Sequence, residues 1–141
     1  MTAADGYDVA VIGGGVTGCA TALHLARGGM RAVVVERRGL CMEASGANAG
    51  SLCVQIKPLA LMPYALGAME MWRTTSEWLG SEVGFQAKGS LMLAFSDDDA
   101  ELLETRIGER RRAGAPIKIL NPDAARRLEP ALSRRPVLAS H

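Results

Sequence analysis

A glycine-rich segment near the start of the chain most constrains what this sequence can fold into. Gly13, Gly15 and Gly18 form the pattern G-x-G-x-x-G. The short β-branched run before it, residues 8–12, predicts a strand buried on both faces. The small-residue stretch after it, residues 16–27, predicts a helix ended by a glycine pair.

A second apolar run, residues 32–35, predicts a strand that stops at Glu36 and completes a β-α-β unit of about thirty residues. This is the setting in which the glycine pattern binds a dinucleotide. Gly13 permits the tight turn, Gly15 lets a pyrophosphate approach the backbone, and Gly18 lets the helix pack closely on the sheet. The free amides and positive dipole end of the helix would receive the phosphate charge.

The charged residues after the second strand indicate which dinucleotide is bound. A carboxylate at Glu36 can bind ribose hydroxyls and repels a 2′-phosphate, which disfavours NADP. Arg37 and Arg38 follow directly and leave that alternative open.

Composition argues against a protein that binds nucleic acid through its overall charge. The 141 residues are 48% hydrophobic, enough for a core, and the net charge of +1 gives no general field for nucleic acid. A run of three arginines, residues 110–112, ends a predicted helix that three aspartates, residues 97–99, begin. Acids at the start and bases at the end match the helix dipole, so a solvated helix is favoured over a phosphate-binding patch.

The chain is predicted to be cytoplasmic. The first five residues lack the basic start of a secretory signal. Residues 9–26 carry no charge, but their consecutive glycines argue against a transmembrane segment. Three cysteines without a C-x-x-C pair are interpreted as reduced thiols, with a redox or flavin-linked thiol as the alternative, and no metal site is predicted.

A second cluster of small residues follows the predicted β-α-β unit. Residues 45–56 carry no charge, which is unusual for a solvated loop, and small side chains let a flat ligand lie against the backbone. Ser45 is a candidate N-cap for another anion-facing helix.

Three segments together carry a specific family resemblance: DVAVIGGGVTGCATALHLARGG, VVVERR and EASGANAGSL. They resemble the N-terminus of the D-amino acid oxidase superfamily of FAD-dependent oxidoreductases, in particular its glycine oxidase, sarcosine oxidase β-subunit and D-amino acid dehydrogenase branches. The resemblance implies FAD as cofactor. It also implies a Rossmann-like α/β fold with the start of a mixed-sheet substrate domain. The cofactor-binding residues that it implies are Gly13, Gly15, Val16, Thr17, Gly18, Glu36, Arg37, Arg38, Ser45, Gly46, Asn48, Ala49, Gly50 and Leu52.

The resemblance further implies an N-terminal fragment of a longer enzyme. Residues 1–80 would belong to the FAD-binding domain and residues 81–141 would begin the substrate domain. Family members oxidise a small amine or amino acid by hydride transfer to flavin N5. The catalytic residues would lie beyond residue 141, supplied by a missing C-terminal half or a partner subunit. The electron acceptor stays open between oxygen and a membrane quinone, so peripheral inner-membrane association stays open as well.

Two other interpretations remain at this point. The chain could be a non-catalytic remnant that binds FAD weakly or not at all, or it could be an NAD-binding module.

Over the rest of the chain, the apolar spacing and the turn residues predict helices over 63–79 and 97–113, strands over 89–95 and 117–120, and a helix capped by Asn121. This alternation is typical of an α/β or mixed fold.

Overall fold

The computed structural model describes residues 6–141. The predicted lack of a secretory start falls on residues 1–5 and lies outside the described residues. The described chain divides into two compact units, residues 6–51 and 52–141. This division comes earlier than the domain boundary predicted after residue 80, and that boundary stays a prediction. Within residues 6–141, every helix falls short of the length and apolarity that a bilayer crossing needs.

The first unit is a β-α-β crossover built from the predicted elements. Strands β1 (Val9–Ile12) and β2 (Ala32–Val35) pair in parallel, with Ile12 opposite Val35. Helix α1 (Val16–Arg27) connects them and packs against both. The bounds of α1 and β2 are those predicted from the sequence. A short helix, α2 (Ala44–Ala47), follows β2.

The prediction that β1 is buried on both faces is wrong for this unit. Burial alternates along the strand, and Ile12 at its carboxyl end is 80% exposed. A strand buried on both faces needs a covering layer on each side. Within residues 6–51, α1 supplies a layer on one side of the strand pair.

The second unit combines helices with a small antiparallel sheet. Its elements are a 3-10 turn (Leu59–Leu61), α3 (Met62–Arg73), α4 (Thr75–Leu79), β3 (Met92–Ala94), α5 (Asp97–Arg112), β4 (Ile119–Leu120), α6 (Pro122–Leu128) and β5 (Leu138–Ser140). The strand order is β3-β5-β4. The core of this unit comes from α3, α5 and the sheet region: Met62, Ala94, Leu103, Ile107, Ala115 and Ile117.

The helix predicted over 63–79 is two helices that meet at Thr74. The hydroxyl of Thr74 donates to the carbonyls of Glu70 and Met71, each at 3.4 Å, and the hydroxyl of Thr75 donates to Trp72 O at 2.6 Å. Threonine hydroxyls that bond back to the preceding turn bend a helix. Two consecutive threonines therefore account for the break.

The other helices and strands predicted for the second unit are present in the structure. Strands β3 and β4 are shorter than predicted, and β5 was missed. The predicted cap of α6 is confirmed, because Asn121 Oδ1 accepts a hydrogen bond from the Ala124 amide at 2.8 Å. The dipole-matched charges of α5 are also present, with aspartates in its first turn and arginines in its last.

A buried polar network ties β5 to the beginning of the second unit. Ser140 is fully buried, and its hydroxyl donates to Gln55 Oε1 at 2.6 Å. Gln55 Nε2 in turn donates to Ser90 O at 2.6 Å. Both polar ends of the Gln55 side chain are thus satisfied inside the unit.

Candidate dinucleotide site

The glycine loop between β1 and α1 has the backbone geometry that a glycine pattern permits. Gly13 has a φ of +98°, a left-handed conformation that side chains disfavour, and its amide donates to Val35 O at 2.9 Å. A Cβ built on Gly18 would stand only 1.9 Å from Gly13 O. The loop and the first turn of α1 are therefore in direct backbone contact.

Gly14 is the centre of this loop, although the glycine pattern alone predicts no role for it. The residue is buried, and its amide donates to Glu36 Oε2 at 2.7 Å. Its carbonyl accepts from the Cys41 amide at 2.9 Å and from the Cys19 thiol at 3.4 Å. A Cβ at Gly14 would stand 2.6 Å from a methyl carbon of Leu40. The glycine between Gly13 and Gly15 was the one available sequence signal.

Glu36 holds the loop from the end of β2. Besides the Gly14 amide, it accepts from the Arg38 amide through Oε1 at 2.9 Å. These backbone hydrogen bonds, that of Gly14 first, hold the pKa of Glu36 below its ordinary value of 4.5. A carboxylate has about four acceptor positions, so two remain for other donors such as ribose hydroxyls.

The two arginines after Glu36 lie on the surface and share one acid. Arg37 Nη2 and Arg38 Nη1 lie 3.3 Å and 2.9 Å from the same oxygen of Glu43. Such exposed ion pairs contribute about 0–1 kcal/mol, so the arginines can turn toward another anion at little cost. Their predicted place beside the adenine stays a prediction.

Ser45 caps α1, not a helix of its own. Its hydroxyl accepts from the Val16 amide at 3.0 Å. The predicted N-cap role for a further helix is wrong, because Ser45 lies inside α2, whose N-cap residue is Glu43. The first turn of α1 contains no acidic residue. A hydroxyl that accepts one hydrogen bond still has its proton to donate, so Ser45 can donate a hydrogen bond to an anion at this helix end.

The small-residue segment after Ser45 forms a turn of its own. The side-chain nitrogen Nδ2 of Asn48 donates to Ser45 O, and Asn48 Oδ1 accepts from the Gly50 amide at 2.7 Å. Gly50 has a φ of +69°, which favours glycine. A Cβ on Gly46 would stand 2.1 Å from Cys41 O, so this glycine permits close backbone packing.

The structure thus brings most of the predicted cofactor residues into one unit. Val16, Thr17 and Ala49 are exposed there, while Leu52 falls in the second unit. Within residues 6–141, no group of three histidine, cysteine or acidic side chains is placed to hold a metal ion. The roles of these residues toward a cofactor remain predictions.

The loop fits the diphosphate of a dinucleotide. Gly15 has φ −75° and ψ 179°, and a Cβ there would lie 3.0 Å from Ser45 Oγ. The space beside the first turn of α1 is therefore kept clear by the missing side chain. A negative charge in this space would be stabilised by the helix amides, the helix dipole and the Ser45 hydroxyl.

Comparisons with known proteins agree with this geometry. Residues 8–140 match the family described as DAO, FAD dependent oxidoreductase. Glycine oxidase of Geobacillus kaustophilus (strain HTA426) is 32% identical over 134 residues, which covers 90% of this chain and 36% of that protein.

Two solved structures share the fold. The crystal structure of glycine oxidase from Bacillus cereus ATCC 14579 superposes with a TM-score of 0.83 at 32% identity, over 96% of this chain and 38% of that one. L-alpha-glycerophosphate oxidase from Mycoplasma pneumoniae, solved with FAD bound, gives 0.78 at 28% identity, over 95% of this chain and 36% of that one. The chain thus spans a little over a third of the length of these relatives.

Proposed function

The chain belongs to the DAO family of FAD-dependent oxidoreductases, and from this membership we propose that it is the FAD-binding part of an enzyme that oxidises a small amine or amino acid. One observation carries the assignment to this chain's own residues. The side chain that would obstruct a pyrophosphate is missing at Gly15, where the Ser45 hydroxyl already lies 3.0 Å from the Val16 amide.

Each part of the site has a distinct task in this proposal. The first turn of α1, with Val16, Thr17 and Ser45, binds the pyrophosphate. The remaining acceptor positions of Glu36 bind the adenosine ribose, while its hydrogen bond to Gly14 keeps the glycine loop in shape. When bound, FAD supplies the redox chemistry by accepting a hydride from the substrate carbon. This chain binds and orients it.

The substrate class rests on the relatives. Glycine oxidases are among the matched proteins, which supports a small amino acid or amine as substrate. The remaining elements of the family fold, with the catalytic residues, would come from further polypeptide or from a second subunit. A cytoplasmic location is supported by three free cysteines, Cys19, Cys41 and Cys53, among the described residues.

Titration of the purified chain with FAD, followed by calorimetry and flavin fluorescence, tests the proposal. Gly15→Val should weaken FAD binding roughly 10- to 150-fold, the equivalent of one hydrogen bond to a charged group. The backbone angles at Gly15 suit valine, and a Cβ there meets only the Ser45 side chain, so the fold should persist with a small shift of Ser45. Gly67→Val is the matched control, because nothing lies within 4 Å of a Cβ there.

Three results would contradict the proposal. Unchanged FAD affinity in Gly15→Val would show that this loop does not hold the pyrophosphate. Tighter binding of NAD than of FAD would favour an NAD-binding module. A folded wild-type chain that binds neither would be a non-catalytic remnant.

A further inference from the structure

Two cysteines converge on one backbone oxygen in the centre of the glycine loop. Cys19 Sγ, from α1, lies 3.4 Å from Gly14 O, and the amide of Cys41, after β2, donates to the same oxygen at 2.9 Å. Both cysteines are half-buried. The pKa of the Cys19 thiol is raised, first by burial and then by the charge and side-chain hydrogen bonding of Cys41. The two residues therefore bond to the same carbonyl oxygen, and their side chains interact.

The backbone at Cys41 is unusual. Among residues 6–141, Cys41 is the one non-glycine residue with a positive φ, at 59°. Side chains disfavour this conformation, and it persists where surrounding contacts impose it. Here it accompanies the turn that brings the Cys41 amide onto Gly14 O.

We propose that Cys19 and Cys41 form a dithiol that a peroxide converts into a disulfide, and that this bond loosens the glycine loop. Its effect on FAD rests on the function proposed above, whereas its formation does not. The disulfide removes the Cys19 thiol as a donor to Gly14 O and ties α1 to the segment after β2. Gly14, whose amide is bound by Glu36, then loses one of its three hydrogen bonds.

The chemistry proceeds in two balanced steps. The Cys41 sulfur attacks one oxygen of hydrogen peroxide, the O–O bond breaks, and the thiol proton passes to the leaving hydroxide, so that a sulfenic acid and one water form. The Cys19 sulfur then attacks the sulfenic sulfur, the S–S bond forms, and the second water leaves with the thiol proton. Two thiols are oxidised and one peroxide is reduced to two waters. Cys19 is the second to react because its thiol proton is engaged in the hydrogen bond to Gly14 O.

To test this, the full chain is treated with hydrogen peroxide, and the oxidation state and pairing of its cysteines are determined by peptide mass spectrometry. A cross-linked peptide pair containing Cys19 and Cys41, with the loss of two hydrogens and reversal by dithiothreitol, is expected. Cys19→Ser and Cys41→Ser should abolish it, and Cys53→Ser should leave it intact. Reversal by dithiothreitol separates the disulfide from methionine oxidation, which this reagent does not rapidly undo.

Two functional readouts complete the experiment. Amide hydrogen exchange of the peptide that spans Gly13 to Cys19 should rise on oxidation, without any nucleotide present. The Kd for FAD should increase roughly fivefold, the equivalent of one hydrogen bond. A cross-link to Cys53, oxidation without a cross-link, or a disulfide with unchanged exchange would overturn the inference. If FAD does not bind the reduced protein, the proposed function fails, while cross-linking and exchange still decide this inference.

Discussion

Replacing Gly18 with alanine should destabilise the first unit, although the same change stabilises most exposed helices. A Cβ at Gly18 would stand 1.9 Å from Gly13 O, and real Cβ contacts are essentially never shorter than 3.0 Å. Helix α1 and the glycine loop would have to separate by about 1 Å. Overpacking of this kind lowers the free energy of unfolding by up to about 3 kcal/mol, and the better helix propensity of alanine offsets about 1 kcal/mol of this loss. The expected net loss is about 2 kcal/mol.

Gly67→Ala in α3 is the matched control for helix propensity. Gly67 is exposed and a Cβ there meets nothing within 4 Å, so the change should stabilise by about 1 kcal/mol. Urea unfolding followed by circular dichroism compares the two variants. Hydrogen exchange of the α1 amides assigns the loss to the first unit. A Gly18→Ala protein as stable as wild type, with equally protected α1 amides, would refute the packing argument.

Two further predictions concern a charged and a buried polar group. Because the pKa of Glu36 is lower in the folded chain than its ordinary 4.5, its stabilising contribution is present above that pH and is lost as pH falls through the folded value. As pH is lowered, the protection of the α1 amides from hydrogen exchange should therefore fall more steeply in wild type than in Glu36→Gln. Parallel curves for the two proteins would count against the hydrogen bond from the Gly14 amide. Ser140→Ala leaves Gln55 Oε1 without its donor and should cost about 1–3 kcal/mol in urea unfolding. The exposed Ser81→Ala should stay within about 0.5 kcal/mol, and equal effects of the two serine changes would contradict the network.

The β-α-β unit was predictable because its signals are local. Apolar runs, glycine punctuation and the acid at Glu36 lie next to each other in sequence and determine the same crossover that the structure shows. The family was predictable for the same reason, since the three matching segments fall within residues 8–52.

What the sequence did not show depends on contacts between distant residues. The cap that Ser45 gives to α1 joins positions 29 apart, and nothing in the local pattern distinguishes it from a cap of α2. The role of Gly14 depends on Glu36, Cys19 and Cys41, three residues from separate segments that all bond to its backbone. Strand β5 was missed because its three residues carry no periodicity of their own.

The placement of β5 in the middle of its sheet bears on how this chain folds during synthesis. β3 and β4 do not pair with each other, and each finds its partner only in Leu138–Ser140. While the nascent chain emerges from the ribosome, both strands therefore expose unpaired edges. Gln55 also lacks its hydrogen-bond donor until Ser140, 85 residues later in the chain, has been translated. Contacts of such long sequence separation form slowly, and unpaired edges favour aggregation in the meantime. Translation speed and chaperone supply should therefore influence the yield of the second unit more than that of the first.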